Sequence, residues 1–259
     1  MTTMQKLISP AASNEPVLSF KDVSSEYVRR KDHFIALRHI EFSLHRGEIL
    51  ALIGPSGCGK TTLMKVLLGT QDYGGDILLR GADIETIPLS RRGIAYIPQK
   101  NPLFPFLDVF SNIAFPLRSL HVDEDEIKKT VASAAEELGI SLLLPRRIGQ
   151  LSLGQQQKVA LAKALCAKSD LFLFDESFAA VNPQDKVELW KILRNFAESK
   201  GTSILFATHD LAEATAVSDL VIVMMDGSIR QIGSPMEIAT HPVDADVRSF
   251  FSSQGGFHV

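Results

Sequence analysis

The stretch Ile49-Leu-Ala-Leu-Ile-Gly-Pro-Ser-Gly-Cys-Gly-Lys-Thr-Thr62 decides the fold of this 259-residue chain. Its first five residues, 49–53, are apolar and lead directly into glycines, as expected of a parallel strand that is covered on both faces. Residues 60–68 then show helical spacing of apolar positions and stop at Gly69. The sequence therefore predicts a buried strand, a glycine-rich loop and a helix in direct succession.

The loop that begins at Gly54 fits the pattern G-x-x-x-x-G-K-[ST]. Glycines let successive backbone N–H groups converge on phosphate oxygens, and the following helix adds its positive N-terminal end. Lys60 is expected to neutralise the β- and γ-phosphates, while Thr61 ligates Mg²⁺ and Cys58 fills space. The predicted nucleotide contacts are Gly54, Pro55, Ser56, Gly57, Cys58, Gly59, Lys60, Thr61 and Thr62. Alone, the motif indicates only a nucleoside triphosphate, and a chance glycine-rich turn is the alternative.

The rest of the chain alternates between strand and helix patterns. Short antiparallel strands with one solvated face are predicted within 17–44, and a further strand at 93–97 precedes mostly helical sequence over 108–168. Strands at 171–174, 203–207 and 220–225 then alternate with helices. We expect an α/β fold with a mainly parallel sheet, an antiparallel β subdomain and an inserted helical subdomain at about 100–168. Residues 1–16 are predicted to be a tail and 17–259 a single domain.

Composition excludes several classes of protein. Apolar residues make up 45% and charged residues 22%, with a net charge of −3, which is a globular composition and not a disordered one. No apolar stretch reaches the roughly 20 residues of a membrane-spanning helix. The polar N-terminus lacks a secretory signal, which favours the cytosol. Two cysteines cannot form a disulfide framework, their spacing does not indicate a metal site, and the charge does not favour nucleic acid.

A second acidic element follows the apolar run Leu171-Phe-Leu-Phe174. Asp175 and Glu176 stand at the carboxyl end of this strand, where an open parallel sheet binds its ligand. Asp175 is expected to hold the Mg²⁺ shell, and Glu176 to orient or deprotonate the water that attacks the γ-phosphate. The alternative is that both acids merely cap the next segment.

Ser152 and Gln155 form a capping-box pattern at the start of a helix that is predicted to run to about residue 168. The free N–H groups and the dipole of such a helix end attract anions. By itself the pattern indicates only a well-capped helix.

Five elements together resemble the nucleotide-binding subunit of ATP-binding cassette (ABC) transporters over about 17–250. These are the phosphate loop, Gln99 after the third strand, residues 151–162, residues 171–176 and residues 203–210. The resemblance implies a P-loop NTPase core, ATP as substrate and Mg²⁺ as cofactor. It implies that Gln99 touches Mg²⁺ or the attacking water and that His209 contacts the γ-phosphate. It also places Tyr27 where an aromatic ring stacks on adenine, with Phe34 as a nearby alternative.

In this family the helix end at Ser152 faces the ATP held by the opposite subunit. The resemblance therefore implies that Ser152, Gly154 and Gln155 bind the partner's nucleotide and that two chains enclose two ATP molecules. The sequence departs from the family pattern at three positions, with Leu153 in place of glycine, Ser177 in place of proline and Asn182 in place of aspartate. These departures suggest an active but slow or partner-controlled ATPase, or one that pairs with a different ATPase subunit.

Segments 101–118, 227–238 and 247–250 are similar to bacterial importer ATPases. The similarity implies ATP hydrolysis that powers solute transport through a separate membrane permease, with a second ATPase subunit and a substrate-binding protein, at the cytoplasmic face of the inner membrane. Residues 104–106 are expected to dock the permease, or else to be local core. Some importers append a regulatory domain after this point, and we do not expect one in the few residues that follow Phe250.

Three other functions stay open at this stage. One is a nucleotide-binding subunit that has lost hydrolysis, which Leu153 and Asn182 favour and Glu176 opposes. Another is a lipid-transport ATPase. A third is a soluble cassette ATPase that acts on DNA or ribosomes, although a second cassette, a long coiled coil or a basic surface is not visible in the sequence.

Overall fold

The computed structural model describes residues 15–29, 32–100, 102–167, 169–179 and 181–253. The strands are β1 (Leu18–Arg29), β2 (Asp32–Leu44), β3 (Ile49–Ile53), β4 (Gly74–Leu79), β5 (Ala82–Asp83), β6 (Ile94–Ile97), β7 (Leu171–Asp175), β8 (Ser203–Ala207), β9 (Leu220–Met225) and β10 (Ser228–Gly233). The α-helices are α1 (Lys60–Leu67), α2 (Val109–Ser119), α3 (Glu124–Glu137), α4 (Leu153–Cys166), α5 (Pro183–Lys200), α6 (Leu211–Val217), α7 (Pro235–Thr240) and α8 (Ala245–Ser253). Most of the predicted tail, together with Asn101 and Lys168, lies outside the described residues.

The larger sheet has the strand order β10-β9-β3-β8-β7-β6. The pairs from β9 to β6 are parallel, and β10 pairs antiparallel with β9 after the turn at Asp226 and Gly227. Every residue of β3, β7 and β8 is buried, as continuous apolar strands with both faces covered require. The predicted mainly parallel sheet is confirmed, and the carboxyl ends of β3, β8, β7 and β6 share one edge.

The smaller sheet is antiparallel and has the order β2-β1-β4-β5. The prediction of short strands in this region was wrong in length, because β1 and β2 are each continuous over twelve residues or more. Register shifts between Phe20 and Val23 and between Val23 and Ser25 interrupt the alternation that marks a strand in sequence. Strands β4 and β5 were not predicted at all.

Two hydrophobic cores lie on the two faces of the larger sheet. Alternate residues of β3 and β7 divide between them, so that Ala51 and Phe172 belong to one core while Leu50 and Leu171 belong to the other. The first core packs against α2 to α5, and the second packs against α1 and the smaller sheet. The sheet therefore holds the helical part and the antiparallel part on opposite sides.

The helical part consists of α2, α3 and α4, which contact one another. Helix α4 ends at Cys166, slightly before the predicted end near 168. The segment that leads into α2 is held by the side-chain amide of Asn112, which is fully buried. This amide accepts from the Phe104 N–H at 2.7 Å and donates to the carbonyls of Phe104 and Asp108, each at 3.0 Å.

Across the described residues, a helix with the length and apolar character needed to cross a membrane is not found.

Candidate functional site

Four loops meet at the carboxyl edge of the larger sheet. The glycine-rich loop follows β3, Gln99 follows β6, Asp175 and Glu176 stand at the end of β7, and His209 follows β8. Because these strands are neighbours and parallel, their carboxyl ends deliver the loops to one place. The sheet order thus brings together residues that are up to 155 positions apart in sequence, from Gly54 to His209.

The glycine-rich loop is tightly packed at two of its glycines and open at its tip. A Cβ atom at Gly54 would lie 2.1 Å from the Met224 carbonyl oxygen, and one at Gly59, where φ is 111°, would lie 2.7 Å from the Ala36 oxygen. Only glycine fits these two positions. Ser56 and Gly57 are exposed, and the space beside Gly57 is open. The loop therefore offers backbone N–H groups to a ligand without obstruction by side chains.

Lys60 is buried at the start of α1 and is held by its own loop. Its Nζ donates to the carbonyl oxygens of Gly54 at 2.8 Å and Pro55 at 3.2 Å. The thiol of Cys58 is 3.7 Å from the same nitrogen, and burial raises the pKa of that thiol. This agrees with Cys58 as a space-filling residue, since a reactive thiol needs a lowered pKa.

Asp175 is a buried carboxylate that accepts two hydroxyl hydrogen bonds. Thr61 Oγ1 donates to Oδ1 at 3.1 Å, and the Tyr96 hydroxyl donates to Oδ2 at 3.2 Å. Burial raises the pKa of Asp175, whereas the hydrogen bonds from Thr61 and Tyr96 lower it. The threonine hydroxyl and this carboxylate thus lie side by side at the foot of the glycine-rich loop.

Glu176 occupies the centre of the site. Its Oε1 lies 3.9 Å from Lys60 Nζ, its Oε2 accepts from Gln99 Nε2 at 3.3 Å, and the same oxygen is 3.7 Å from His209 Nδ1. The backbone at Glu176 has a positive φ of 49°, and its N–H donates to the Ala207 carbonyl at 2.9 Å. One carboxylate therefore lies within 4 Å of a side chain from each of the other three loops.

Tyr27 lies on β1 beside the start of α1. Its hydroxyl is 3.4 Å from Thr62 Oγ1, and Lys65 Nζ is 5.8 Å from the centre of its ring. Phe34 is its direct partner on β2, so both rings are on the same face of the smaller sheet, and Phe34 is exposed. Tyr27 thus lies against the start of α1, and Phe34 lies beside Tyr27 on the smaller sheet.

The start of α4 has the predicted capping box. The Gln155 N–H donates to Ser152 Oγ at 3.2 Å, and the Ser152 N–H donates to Gln155 Oε1 at 3.1 Å. Leu153 is the first residue of the helix and its side chain is 55% exposed, so its replacement of glycine leaves the cap intact. Gly154 packs against Asp185 on α5, whose Oδ2 is 2.2 Å from the position of a Cβ atom at residue 154.

The other two departures from the family pattern make specific contacts. Ser177 is buried, and its hydroxyl donates to the Ile97 carbonyl at 2.6 Å, which ties the segment after Glu176 to the end of β6. Asn182 caps α5 by accepting from the Asp185 N–H at 2.9 Å, and its Nδ2 donates to Asp185 Oδ2 at 2.6 Å. Both polar substitutions are therefore satisfied by hydrogen bonds within the chain.

Three residues with a part in this arrangement were missed by sequence reasoning. Tyr96 donates to Asp175, Gln157 donates to the Ser177 carbonyl at 2.8 Å, and Asp185 contacts both Asn182 and Gly154. For Tyr96 a signal existed, since a hydroxyl near the end of a buried strand must find a partner at the ligand edge. For Gln157 and Asp185 the contacts depend on how α4 and α5 pack, which one sequence does not show.

The chain resembles known proteins over most of its length. A family model described as ABC transporter matches residues 37–179. The molybdate/tungstate import ATP-binding protein WtpC of Thermococcus kodakarensis is 39% identical over 235 residues, which cover 90% of this chain and 70% of the relative. The chain belongs to the ABC transporter family. Since ABC ATP-binding proteins are ATPases, this cassette is an ATP-binding enzyme of that class, as the sequence resemblance predicts.

Further relatives and solved structures agree with this family. The spermidine/putrescine import ATP-binding protein PotA of Mesoplasma florum is 36% identical, over 90% of the cassette and 66% of the relative. The structure of cbiO1 from Clostridium perfringens, part of the transporter complex cbiONQ, has a TM-score of 0.77 at 29% identity and covers 88% of this chain and 92% of that one. The dimeric bacterial ABC cassette MJ0796 has the same TM-score at 22% identity, covers 84% of this chain and 98% of that one, and supports the fold alone. The predicted fold class is confirmed.

Proposed function

We propose that this cassette binds and hydrolyses ATP to power solute import through a separate membrane permease, by closure of a pair of cassettes on two ATP molecules. The observation that carries the proposal is the position of the Glu176 carboxylate, within 4 Å of Lys60, Gln99 and His209. The names of the relatives, which are import ATP-binding proteins, support import as the direction. The transported solute itself contacts other polypeptides and is not specified by these residues.

The triphosphate is held by the glycine-rich loop. Backbone N–H groups at the start of α1 and the helix dipole attract the phosphates. Lys60 exchanges its hydrogen bonds with the Gly54 and Pro55 carbonyls for the β- and γ-phosphate oxygens, which carry full negative charge. Adenine stacks on Tyr27 or on its strand partner Phe34, which share the face next to Thr62.

The residues at the foot of the loop fit Mg²⁺. Thr61 Oγ1 and Asp175 Oδ1 are hard oxygen donors 3.1 Å apart, and Mg²⁺ prefers few protein oxygens together with water and substrate phosphates. Gln99, whose Nε2 donates to Glu176 at 3.3 Å, would add its amide oxygen. Held by Thr61 and Asp175, Mg²⁺ would supply positive charge that offsets the negative charge developing on the phosphates during hydrolysis.

Hydrolysis requires a water in line with the γ-phosphate, and Glu176 is the base that orients it and accepts its proton. Gln99 donates to Glu176 Oε2, which leaves Oε1 for the water once Lys60 has moved to the phosphates. His209 lies beside the same carboxylate and contacts the γ-phosphate. The leaving group is ADP, and inorganic phosphate carries the oxygen of the attacking water.

A second cassette completes the site. Gly154 packs on Asp185 of its own chain, while Ser152 and Leu153 are exposed, so the first turn of α4 is open to a partner. Its dipole and N–H groups suit the γ-phosphate held by a partner. ATP binds the closed pair better than the open pair, and this difference in affinity is what does work on the permease.

The permease is expected to contact an aromatic patch formed by Phe104, Phe106 and Phe115. Phe106 is 74% and Phe115 is 43% exposed, and the ring of Phe104 lies 5.8 and 4.7 Å from the other two ring centres. Lys163 stacks on Phe104 at 4.2 Å and donates to the Pro102 carbonyl, which fixes the patch against α4. Exposed apolar clusters of this kind mark interaction sites. Such an assembly places the cassette at the cytoplasmic face of a bacterial inner membrane, with a substrate-binding protein on the other side.

The test is Glu176→Gln in the full chain. We expect turnover to fall by about 10²–10³, because the base is lost while the phosphate contacts remain. ATP binding persists, so the variant accumulates as an ATP-bound dimer in light scattering. Glu198→Gln, an exposed change on α5, is the matched control and keeps wild-type turnover. Undiminished hydrolysis by the Glu176 variant contradicts the proposal.

A catalytically slow or silent subunit is the second candidate, and the exposed Leu153 favours it. This side chain stands at the helix end that meets the partner's phosphate, where the family has glycine. Leu153→Gly is expected to raise turnover if this side chain restrains it. Co-purification with the membrane partner decides the pairing: two identical chains support a symmetric ATPase, and a second, different cassette supports the asymmetric one.

A further inference from the structure

A buried carboxylate outside the nucleotide site connects two of its loops. Glu213 on α6 is 3% exposed. Its Oε2 accepts from the Thr208 hydroxyl at 2.5 Å, and its Oε1 lies 2.6 Å from Lys186 Nζ on α5. Lys186 is itself mostly buried and is 3.7 Å from Asp210 Oδ2. We call this arrangement the Lys186–Glu213 bridge.

On one side, the bridge holds the residues that flank His209. Thr208 is buried, donates its N–H to the Leu52 carbonyl on β3 at 3.0 Å, and accepts from the Asp210 N–H at 3.0 Å. Asp210 caps α6 through the N–H groups of Ala212 and Glu213. The backbone on either side of His209 is thus fixed by groups that bind Glu213, while the imidazole itself is free to face Glu176.

On the other side, the bridge reaches the segment that follows Glu176. Lys186 lies in the first turn of α5, and its N–H donates to the Asn182 carbonyl at 3.0 Å. Residues 177–182 join this turn to the base. The bridge therefore connects the loop of the base with the loop of His209.

Stability alone does not explain a charge pair in this position. The desolvation of a buried pair cancels much of its attraction, and apolar residues of similar size often serve as well. A buried pair does fix geometry, because each charge must stay where its partner is. The geometry fixed here is the 3.7 Å separation of His209 Nδ1 and Glu176 Oε2.

We propose that Lys186 and Glu213 are positioning residues that hold His209 in reach of the Glu176 carboxylate and the γ-phosphate. The inference rests on the proposed ATPase function. Loss of the Lys186 charge leaves Glu213 without its cation, so that Glu213 and Thr208 rearrange and His209 is displaced. Nucleotide binding by the glycine-rich loop, which the bridge does not contact, is preserved.

The first experiment compares Lys186→Met, Lys186→Arg and the control Lys191→Met in the full chain. Lys191 is an exposed lysine on the same helix. We expect Lys186→Met to lower kcat by about tenfold to a hundredfold, the range for a displaced catalytic group, with the KM for ATP changed less than twofold. Lys186→Arg restores most of kcat, and Lys191→Met changes nothing. A lower unfolding temperature of Lys186→Met with unchanged kcat overturns the proposal.

A double-mutant cycle with His209→Ala tests whether Lys186 acts on hydrolysis through His209. If Lys186 acts through His209, the double variant hydrolyses ATP at the rate of His209→Ala alone. Independent, multiplicative losses overturn the proposal. If His209→Ala alone keeps full activity, the assigned role of His209 in the proposed function fails.

An NMR measurement that does not depend on turnover tests the positioning role of Lys186 separately from the proposed ATPase function. The imidazole resonances of His209, assigned by their loss in His209→Ala, are expected to shift in Lys186→Met and not in Lys191→Met. Unchanged resonances overturn the positioning role even if hydrolysis proves to need a partner subunit. Shifted resonances in a chain that does not hydrolyse ATP support the positioning role and count against the proposed function alone.

Discussion

Asp175 accepts a hydrogen bond from a hydroxyl group at each of its two carboxylate oxygens. Thr61 and Tyr96 each occupy one of its oxygens, and both are more than 75 positions away in sequence. A buried carboxylate without such donors is costly to the fold. The hydroxyl of Tyr96 therefore contributes to stability as well as to the shape of the site.

Tyr96→Phe removes one of these donors. A hydrogen bond to a charged group is worth about 1.5–3 kcal/mol, so we expect a loss of unfolding free energy of that size at neutral pH. Urea unfolding followed by fluorescence measures it. In an Asp175→Asn background the loss should shrink to about 1 kcal/mol, because the acceptor is then neutral. Equal losses in both backgrounds contradict the role of charge.

The rate at which the Cys166 thiol is alkylated is expected to depend on pH. Burial raises the pKa of its thiol to about 11, above the ordinary value of 9.0. At pH 8 only about one thiol in a thousand is ionised, so alkylation of the folded protein is slow and speeds up about tenfold per pH unit. Iodoacetamide labelling followed by mass spectrometry tests this, with the urea-unfolded chain as control. Rapid labelling of folded protein at pH 7 contradicts it.

The raised pKa of Cys166 also makes the free energy of unfolding depend on pH. The folded protein keeps a proton on Cys166 that the unfolded chain releases near pH 9. The stabilisation from this group is therefore fully present below about pH 9 and is lost as the pH rises through about 11.

At the scale of elements, the beginnings of α4 and α5 are joined by one carboxylate. Asp185 accepts from Asn182 at 2.6 Å and lies against Gly154, so the position of the Ser152 helix end depends on how α5 begins. An aspartate at residue 182, as in the family pattern, would bring two carboxylates together. Asn182 can donate a hydrogen bond to Asp185, which an aspartate at residue 182 could not do.

Asn182→Asp is expected to destabilise the protein by about 1 kcal/mol. Aspartate caps a helix as well as asparagine does, so the loss comes from the carboxylate pair that replaces the hydrogen bond. Unfolding in urea measures the change, and Asp185→Ala in the same chain should recover most of it. A loss that persists in the double variant shows that the capping contact is responsible instead.

The sequence predicts which strand ends meet near Glu176 better than it predicts the strand boundaries of the smaller sheet. Continuous apolar runs such as 171–174 identify buried parallel strands whose carboxyl ends must meet, so Asp175 and Glu176 could be placed from pattern alone. Gln99 and His209 were expected at the same edge only from the resemblance to the ABC family. In β1 the irregular register after Phe20 removes the two-residue period, and short β5 has too few residues to show one. Contacts between helices, such as Gly154 with Asp185, depend on packing angles that periodicity does not contain.

At the scale of the whole molecule, one tryptophan reports on the larger core. Trp190 on α5 is the single tryptophan of the sequence and packs against the core that includes α2 to α5. Its Nε1 is buried and, within the described residues, has no hydrogen-bond partner. Its emission should therefore lie at short wavelength in the folded protein and move to longer wavelength on unfolding.

Nucleotide should stabilise the whole cassette by mass action. At 100 times its Kd, ATP with Mg²⁺ adds about 2.7 kcal/mol, which corresponds to about 5–10 °C in unfolding temperature for a chain of this size. Glu176→Gln avoids turnover during the scan, and Trp190 emission is the signal. Lys60→Met in the same background should lose most of the increase. An equal increase in both variants contradicts binding at the glycine-rich loop.

The left-handed backbone at Glu176 lowers the stability of the fold at the position of the proposed base. A residue with a Cβ atom pays about 1–2 kcal/mol for this conformation, and glycine does not. A chain with glycine at this position would lose its base and yet resist heat better than the natural one. A gain in thermal stability at this position would therefore remove the side chain that we propose as the base.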